Sequence, residues 1–284
     1  MSEINTPHHL EQIKALSLRD ALIMSFDLET TGVNPQEARI VQVGVSYFYQ
    51  GAPLRRHQEL VNPQLPIPPG ASEIHKITDD LVQDKPPFAT LMQRLRPHFF
   101  GEVFPELPPP LITGYNIRSY DLPLFEAELR RAGADWSLRE APFVDLYSVV
   151  KWHLRHMPDR KLTTACQRFG IELDNAHNAL ADAHASGQLM GALIGSGYLP
   201  AAVGDAIEHA SEVDARAEAE YQEYKHWLYH DRQTGELLLG TRKKMGVPVK
   251  SVDPGYLDFI LRKVDDLPPK VRSIFEQLVS GGGA

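Results

Sequence analysis

The sequence predicts an α/β chain: a mixed central sheet flanked by helices, followed by a small α+β C-terminal module. Three observations carry this. Residues 21–62 hold three apolar or β-branched runs separated by short polar breaks, as neighbouring antiparallel strands require. From residue 111 onward, short apolar runs at 111–114 and 143–145 each lead into a helical pattern, so strand and helix alternate. Beyond residue 226, a hairpin pattern and two proline-opened helical patterns stand apart.

The elements follow in order. Residues 1–17 read as an N-terminal helix or tail. Strands are expected at 21–28, 39–49 and 54–62, where Ile40, Val41, Val43 and Val45 supply β-branched character with partial alternation. The proline-rich stretch 63–70 reads as a loop, followed by helices near 78–83 and 88–100 and a second proline-rich break from Pro105 to Pro110. A strand at 111–114 leads to a helix over Leu122–Ala132. Phe143-Val144-Asp145 leads to a helix over 146–156, and helices at 162–169 and 178–196 complete a domain spanning 18–199. Residues 200–226, rich in alanine and glutamate, read as an acidic helical linker. Trp227–His230 and Leu237–Leu239 flank a polar turn as a small hairpin, and helices open near Pro254 and Pro269, giving a module over 227–280. Residues 281–284, Gly-Gly-Gly-Ala, read as a flexible tail.

Composition narrows the class. A chain of 284 residues has room for one or two domains and a sizeable core. Its single cysteine, Cys166, excludes an intrachain disulfide framework and reads as a small core residue in a reducing compartment. Met1–Asn5 shows no basic stretch leading into an apolar one, and no run approaches the ~18 apolar residues of a membrane span. A cytoplasmic protein without membrane partners is expected. The net charge of −8 is uneven: residues 201–226 contribute −5, whereas residues 227–284 carry +2. That balance argues against tight, non-specific coating of duplex nucleic acid, but an enzyme holding one strand end needs few phosphate contacts.

The chemistry concentrates in Asp27-Leu28-Glu29-Thr30-Thr31-Gly32, at the end of an apolar run. Residues i and i+2 of a strand share a side, so Asp27 and Glu29 would stand together. Two carboxylates that close raise each other's pKa, and a divalent cation relieves the repulsion. An isolated pair of this kind is most often a solvated acidic turn; here further groups follow. Asp121 falls at a helix N-terminus after Gly114–Tyr120, where its ordinary role is a cap. His177 falls at or just before another helix start, and Asp182 lies inside that helix among Ala179, Ala181, Ala183 and Ala185, whose small side chains permit close approach to another backbone. His184, two residues past Asp182, points away from it and reads as structural. Lys151, Arg155, Arg160 and Lys161 form a basic cluster whose default reading is a solvated face.

Four acids and a histidine in this order resemble the DEDDh 3′→5′ exonucleases, the group that includes the proofreading subunit of bacterial replicative polymerase, ribonuclease T and exodeoxyribonuclease X. The resemblance covers about Leu18–Leu199: Asp27 and Glu29 match the first motif, Asp121 the second, and His177 with Asp182 the third, with the spacing of the histidine subtype. Val61-Asn62-Pro63, Pro66-Ile67-Pro68 and Ile74–Thr78 match between motifs, although Lys76 stands where glycine is usual and Tyr120 where phenylalanine is usual. The resemblance implies the ribonuclease-H-like exonuclease fold and two divalent ions, Mg²⁺ or Mn²⁺. Asp27 would bridge them, Glu29 and Asp182 would complete one site, and Asp121 would hold the second. One ion would activate water, and both would stabilise the phosphorane and the departing 3′-oxygen. His177 would be the general base, since a free imidazole, with a pKa near ~6.5, is largely neutral at physiological pH. A zinc hydrolase fits poorly, since one motif histidine and no thiolate cluster are present.

Candidates for substrate contact are Leu28, Thr30, Thr31, His75 and Asn116. The two threonines equally suit a turn, and His75 equally suits a loop packed on prolines. The expected substrate is DNA, most simply single-stranded or frayed 3′ ends, cleaved to 5′-mononucleotides in repair or replication, with any polymerase or repair-complex partner unidentified. An exoribonuclease of the same fold is the alternative, and a catalytically inactive nucleic-acid-binding scaffold is a third reading that would need a broken ligand. The C-terminal segment resembles, more loosely, the module attached to exodeoxyribonuclease-X-like proteins, through Gly240-Thr241-Arg242-Lys243-Lys244-Met245-Gly246. Arg242, Lys243 and Lys244 are candidate nucleic-acid contacts there; Trp227, Tyr256 and Phe259 are candidates for bracing the module.

Overall fold

The computed structural model describes residues 10–281, apart from 156, 158, 233 and 242. Its contacts divide the chain into two units, after Glu212. In the first unit, α1 (Leu10–Ile13) precedes an antiparallel meander of β1 (Ile23–Thr30), β2 (Ile40–Tyr49) and β3 (Ala52–Leu60). Helices α2 (Pro69–His75), α3 (Asp79–Val82) and α4 (Phe88–Phe99) follow. Next come β4 (Leu111–Gly114), α5 (Asp121–Arg131), β5 (Phe143–Asp145), α6 (Leu146–His153), α7 (Leu162–Arg168) and α8 (Ala179–Gly195). The sheet order is β3-β2-β1-β4-β5, with β4 parallel to β1 and β5 parallel to β4. This is the mixed sheet that the alternating pattern predicts.

The alternation of β1 decides where the chemistry sits. Met24, Phe26 and Leu28 face one core with Leu91, Leu95 and Phe99 of α4 and Leu124 and Phe125 of α5. Phe26 meets Phe99 and Phe125 edge-on, with centroids 5.7 and 6.3 Å away, a favoured aromatic geometry. Ile23, one position out of phase, joins Leu189, Met190 and Leu193 of α8 in a second core. Asp27 and Glu29 share the Ile23 side of the strand and so fall toward α8.

Helix α8 lies across β1 and β2. Gly44 makes that possible at the functional end. It pairs with Asp27 across the β1/β2 ladder, and a Cβ there would stand 2.2–2.3 Å from backbone atoms of Ala179 and Leu180. The Gln42 side chain accepts the Ala179 N–H at 3.0 Å, and Asn178 caps the helix by accepting the Ala181 N–H at 3.2 Å. The close approach expected of Ala179 is thus realised against a glycine. The outer strand β3 is largely solvent-exposed and carries Arg55, Arg56, His57, Gln58 and Glu59 in a row.

Two boundaries differ from expectation. The proline-rich 63–70 stretch ends inside α2, because Pro69 occupies a first-turn position where its missing N–H costs nothing. The 200–226 stretch is helical, as its composition predicts: α9 (Val203–Tyr224) gives Val203, Ala206 and Ala210 to the α8 core and Tyr224 to the core of the second unit. Gly281 closes a helix rather than opening a flexible tail, while residues 282–284 and 1–9 lie outside the described set.

The second unit contains the expected hairpin, β6 (Leu228–His230) with β7 (Leu237–Leu239), then a 3₁₀ turn at Val249–Ser251, α10 (Pro254–Lys263) and α11 (Pro269–Gly281). Leu228, Leu239, Val249, Leu257, Ile260, Val271 and Phe275 form its own core, with Trp227 and Tyr256 packed against it. Among the described residues, no helix is long and apolar enough to cross a membrane.

Candidate active site

Three of the four expected acids converge. Carboxylate oxygens of Asp27, Glu29 and Asp182 lie within 4.8 Å of one another. Asp27 and Glu29 come from the end of β1, and Asp182 from the first turn of α8, which Gly44 lets down onto the sheet. Asp121 stands outside that trio. It is the first residue of α5 rather than its cap, is 4 % exposed, and accepts the Leu28 N–H at 3.1 Å through Oδ1. Its charge still bears on Asp27, so the four acids form one electrostatic cluster.

The cluster is strained as carboxylates. Burial, then Asp121, Asp182 and Glu29, hold Asp27 well above the ordinary carboxylate range. Burial, Asp182 and Asp121 push Glu29 up to about 8. Burial raises Asp121 to about 7 against two backbone N–H groups and raises Asp182 against the pull of His177. Asp182 Oδ2 accepts the His177 N–H at 3.0 Å, but Asp182 Oδ1 is buried without a hydrogen-bond partner. An all-oxygen donor set, mutual repulsion and an orphaned buried oxygen together fit a hard divalent cation.

His177 precedes the α8 cap by one residue, is exposed and has a left-handed backbone, φ 67°. Its charge depresses His75, so the two imidazoles share one neighbourhood. His75 is buried. Its Nδ1 accepts the Ile77 N–H at 3.0 Å, which leaves Nε2 to donate to the Thr30 carbonyl at 3.3 Å. Burial, first of all, lowers its pKa, consistent with a neutral ring.

The other expected contacts are engaged within the protein. Leu28 is 6 % exposed and belongs to the core. The Thr30 hydroxyl donates to the Gly32 carbonyl at 2.9 Å, and the Tyr120 hydroxyl reaches both that carbonyl and the Thr30 hydroxyl. The Thr31 hydroxyl accepts the Arg39 N–H at 2.9 Å. Asn116 has φ 66° and donates its N–H to Asp145 at 2.9 Å. In the basic cluster, Arg160 turns back to the Arg155 carbonyl at 3.0 Å. His184 bonds Ser46 and Arg56 and stacks on Phe48, a structural role. Cys166 is buried, and its thiol is pushed up to about 12 by that burial and by Asp182.

Two further residues support the site. Buried Asp145 accepts the N–H groups of Asn116, Arg118 and Tyr147, so it shapes the turn that delivers Asp121 and caps α6. Its only sequence signal is its place at the end of a short strand. Tyr120 had a signal, being the residue before Asp121; its hydroxyl pins the turn after Glu29.

A mixed sheet presenting four acids and a histidine at one end defines a nuclease domain of the DEDDh type, with the ribonuclease-H-like exonuclease fold. Residues 24–190 match the RNase_T exonuclease family model, and the chain belongs to that exonuclease family. It is 24 % identical over 178 residues to the PolC-type DNA polymerase III of Oceanobacillus iheyensis, covering 63 % of this chain and 12 % of that protein. It is 26 % identical over 175 residues to the corresponding polymerase of Streptococcus pneumoniae, covering 62 % and 11 %. The chain therefore spans about an eighth of the length of these relatives. Among solved structures, E. coli exonuclease I in complex with a dT13 oligonucleotide superposes with TM-score 0.52 at 23 % identity, over 61 % of this chain and 41 % of that one. The nuclease domain of 3′hExo, a DEDDh family member bound to rAMP, gives 0.52 at 15 % identity, over 64 % and 95 %.

Proposed function

We propose that the chain is a 3′→5′ exodeoxyribonuclease that uses two divalent ions, Mg²⁺ or Mn²⁺, and releases 5′-mononucleotides from single-stranded or frayed 3′ ends. The observation that carries this is the trio Asp27, Glu29 and Asp182, with ligand atoms within 4.8 Å and Asp182 Oδ1 buried and unpartnered. Asp27, Glu29 and Asp182 would hold one ion, and Asp27 with Asp121 the other. When bound, the ions would supply an acidified water and neutralise charge building on the phosphate.

The rest of the work belongs to the chain. The Leu28 N–H orients the Asp121 carboxylate. The hydrogen bond from the His177 N–H to Asp182 ties the histidine loop to the helix bearing the ligand. His177 is exposed, and on this reading its imidazole would take the proton from the attacking water. Neutral His75 locks the Thr30 carbonyl and with it the end of β1. The hydroxyls of Thr30 and Thr31, the N–H groups of Leu28 and Thr31 and the Thr30 carbonyl are all engaged internally, so on this reading Leu28–Thr31 shape the rim of the site. DNA is favoured over RNA because relatives named above are DNA polymerases, and exonuclease I is seen with a DNA strand. Action in DNA repair or replication and a cytoplasmic site go with this reading, the latter suited to a lone buried thiol.

The test compares matched DNA and RNA oligomers labelled at the 5′ end, with Mg²⁺, Mn²⁺ or EDTA. A metal-dependent ladder shortening from the 3′ end, faster on DNA, is expected. No shortening with either metal would sink the proposal, and a faster RNA ladder would reassign the enzyme to exoribonuclease.

A further inference from the structure

The second unit carries a surface that the acid cluster does not use. On α10, Tyr256, Phe259 and Lys263 recur at positions i, i+3 and i+7 and so share a helix face. The neighbouring Leu257 and Ile260 are buried in the core, whereas Phe259 is 57 % exposed. Lys244 sets its ammonium 5.1 Å from the centroid of the Tyr256 ring, which brings a second lysine to the same face. Lys243 and Met245 beside it are exposed, Met245 to 61 %. The acid on this helix, Asp258, is matched by Arg262 at 2.8 Å, so it does not cancel the lysines. Residues 227–284 carry +2 in a chain whose total is −8.

An exposed aromatic ring between lysines is what sequence-tolerant binding of single strands uses: a base stacks on the ring, and the flanking phosphates meet the ammonium groups. Duplex bases are already stacked and offer the ring nothing. We propose that the face formed by Lys244, Tyr256, Phe259 and Lys263 is a second binding site for single-stranded nucleic acid. The inference rests on reading the chain as a nucleic-acid hydrolase, and it gives the C-terminal unit the task of retaining the strand.

The experiment measures equilibrium binding of the full chain, in EDTA, to fluorescein-labelled oligo(dT) of about 30 nucleotides and to a duplex of the same length. Phe259→Ala is expected to weaken single-strand binding about tenfold. The pair Lys244→Glu and Lys263→Glu should weaken it further and reduce the slope of log K against log salt by about 0.7 for each lysine removed. Duplex binding should respond to the lysine variants alone. Thermal melts confirm that each variant is folded. If Phe259→Ala binds oligo(dT) as the wild type does, or loses duplex and single strand equally, the proposal is overturned. Because EDTA stops hydrolysis, a protein that binds in this way yet never cleaves would refute the exonuclease reading and leave this site standing.

Discussion

Gly44→Ala isolates the requirement that α8 lie directly on β2. The new Cβ would stand 2.2 Å from the Ala179 carbonyl carbon and 2.3 Å from its oxygen and the Leu180 nitrogen, where ordinary contact begins at 3.4 Å. All three atoms are backbone, so no rotamer change relieves the clash. The first turn of α8 must retreat by about 1 Å, or β2 must buckle by as much, in an interior packed too densely to absorb it elsewhere. Asp182 lies in that turn and holds the His177 N–H, so ligand and base retreat together from Asp27, the residue paired with Gly44. A displacement of about 1 Å at a reacting centre costs on the order of 10²-fold in rate. Overpacking costs about 1–3 kcal/mol in stability, several degrees of Tm for a chain of this size. The assay is initial-rate cleavage of a labelled oligonucleotide, with Mn²⁺ titration calorimetry and thermal melts beside it. Expected are a rate loss near 10²-fold, weaker metal binding and a lower Tm. Gly191→Ala is the control: the same helix, with nothing within 4 Å of the added methyl, so neutral or slightly stabilising. A Gly44→Ala protein with wild-type rate and Tm would refute the reasoning.

Asp27→Ala should abolish cleavage while leaving the protein folded. The acids here have folded pKa values above their unfolded ones, so their contribution to stability is full below about pH 4 and is lost as pH rises through about 7–8. Melts in EDTA should therefore show the variant above wild type at pH 8 and the gap closing toward pH 4; persistent cleavage, or a gap that grows on acidification, counts against the assignment. His177→Ala should lower turnover by roughly 10²–10⁴-fold with little change in metal affinity, because the four carboxylates remain; calorimetric loss of metal binding would make it a ligand instead. His98, buried beside the Tyr47 hydroxyl and stacked on His57, is lowered to about 4 by burial, His57 and Arg55. Its folded pKa lies below its unfolded value, so stability is full above about pH 6.5 and falls toward pH 4, by about 3 kcal/mol. Denaturant titrations of wild type and His98→Gln at pH 7 and pH 4.5 should differ in slope with pH, and parallel curves would rule this out.

The sheet and the acid trio were legible because their signals are local. An apolar run ending in Asp-x-Glu fixes both the strand and the side its acids take, while Asp182 was marked only by its place in the third motif of the family it resembles. Gly44 was not legible, since the reason for it lies 135 residues downstream in the backbone of Ala179. Asp145 was missed for a like cause: its partners are amide hydrogens of another loop, which no side-chain pattern encodes. The helix over 200–226 was legible, but its buried face was not, because Val203, Ala206 and Ala210 are small and register weakly beside seven acids. Prolines at 66, 68 and 69 read as loop although the last of them opens α2.

The exposed strand β3 has a consequence for handling the protein. An outer strand offers unpaired amides to any passing chain, and long apolar ones seed aggregates. Here the nine-residue rim is interrupted by Pro53 and charged by Arg55, Arg56 and Glu59, while the opposite rim, β5, is three residues long. Neither rim is a good template for edge-to-edge growth with another copy.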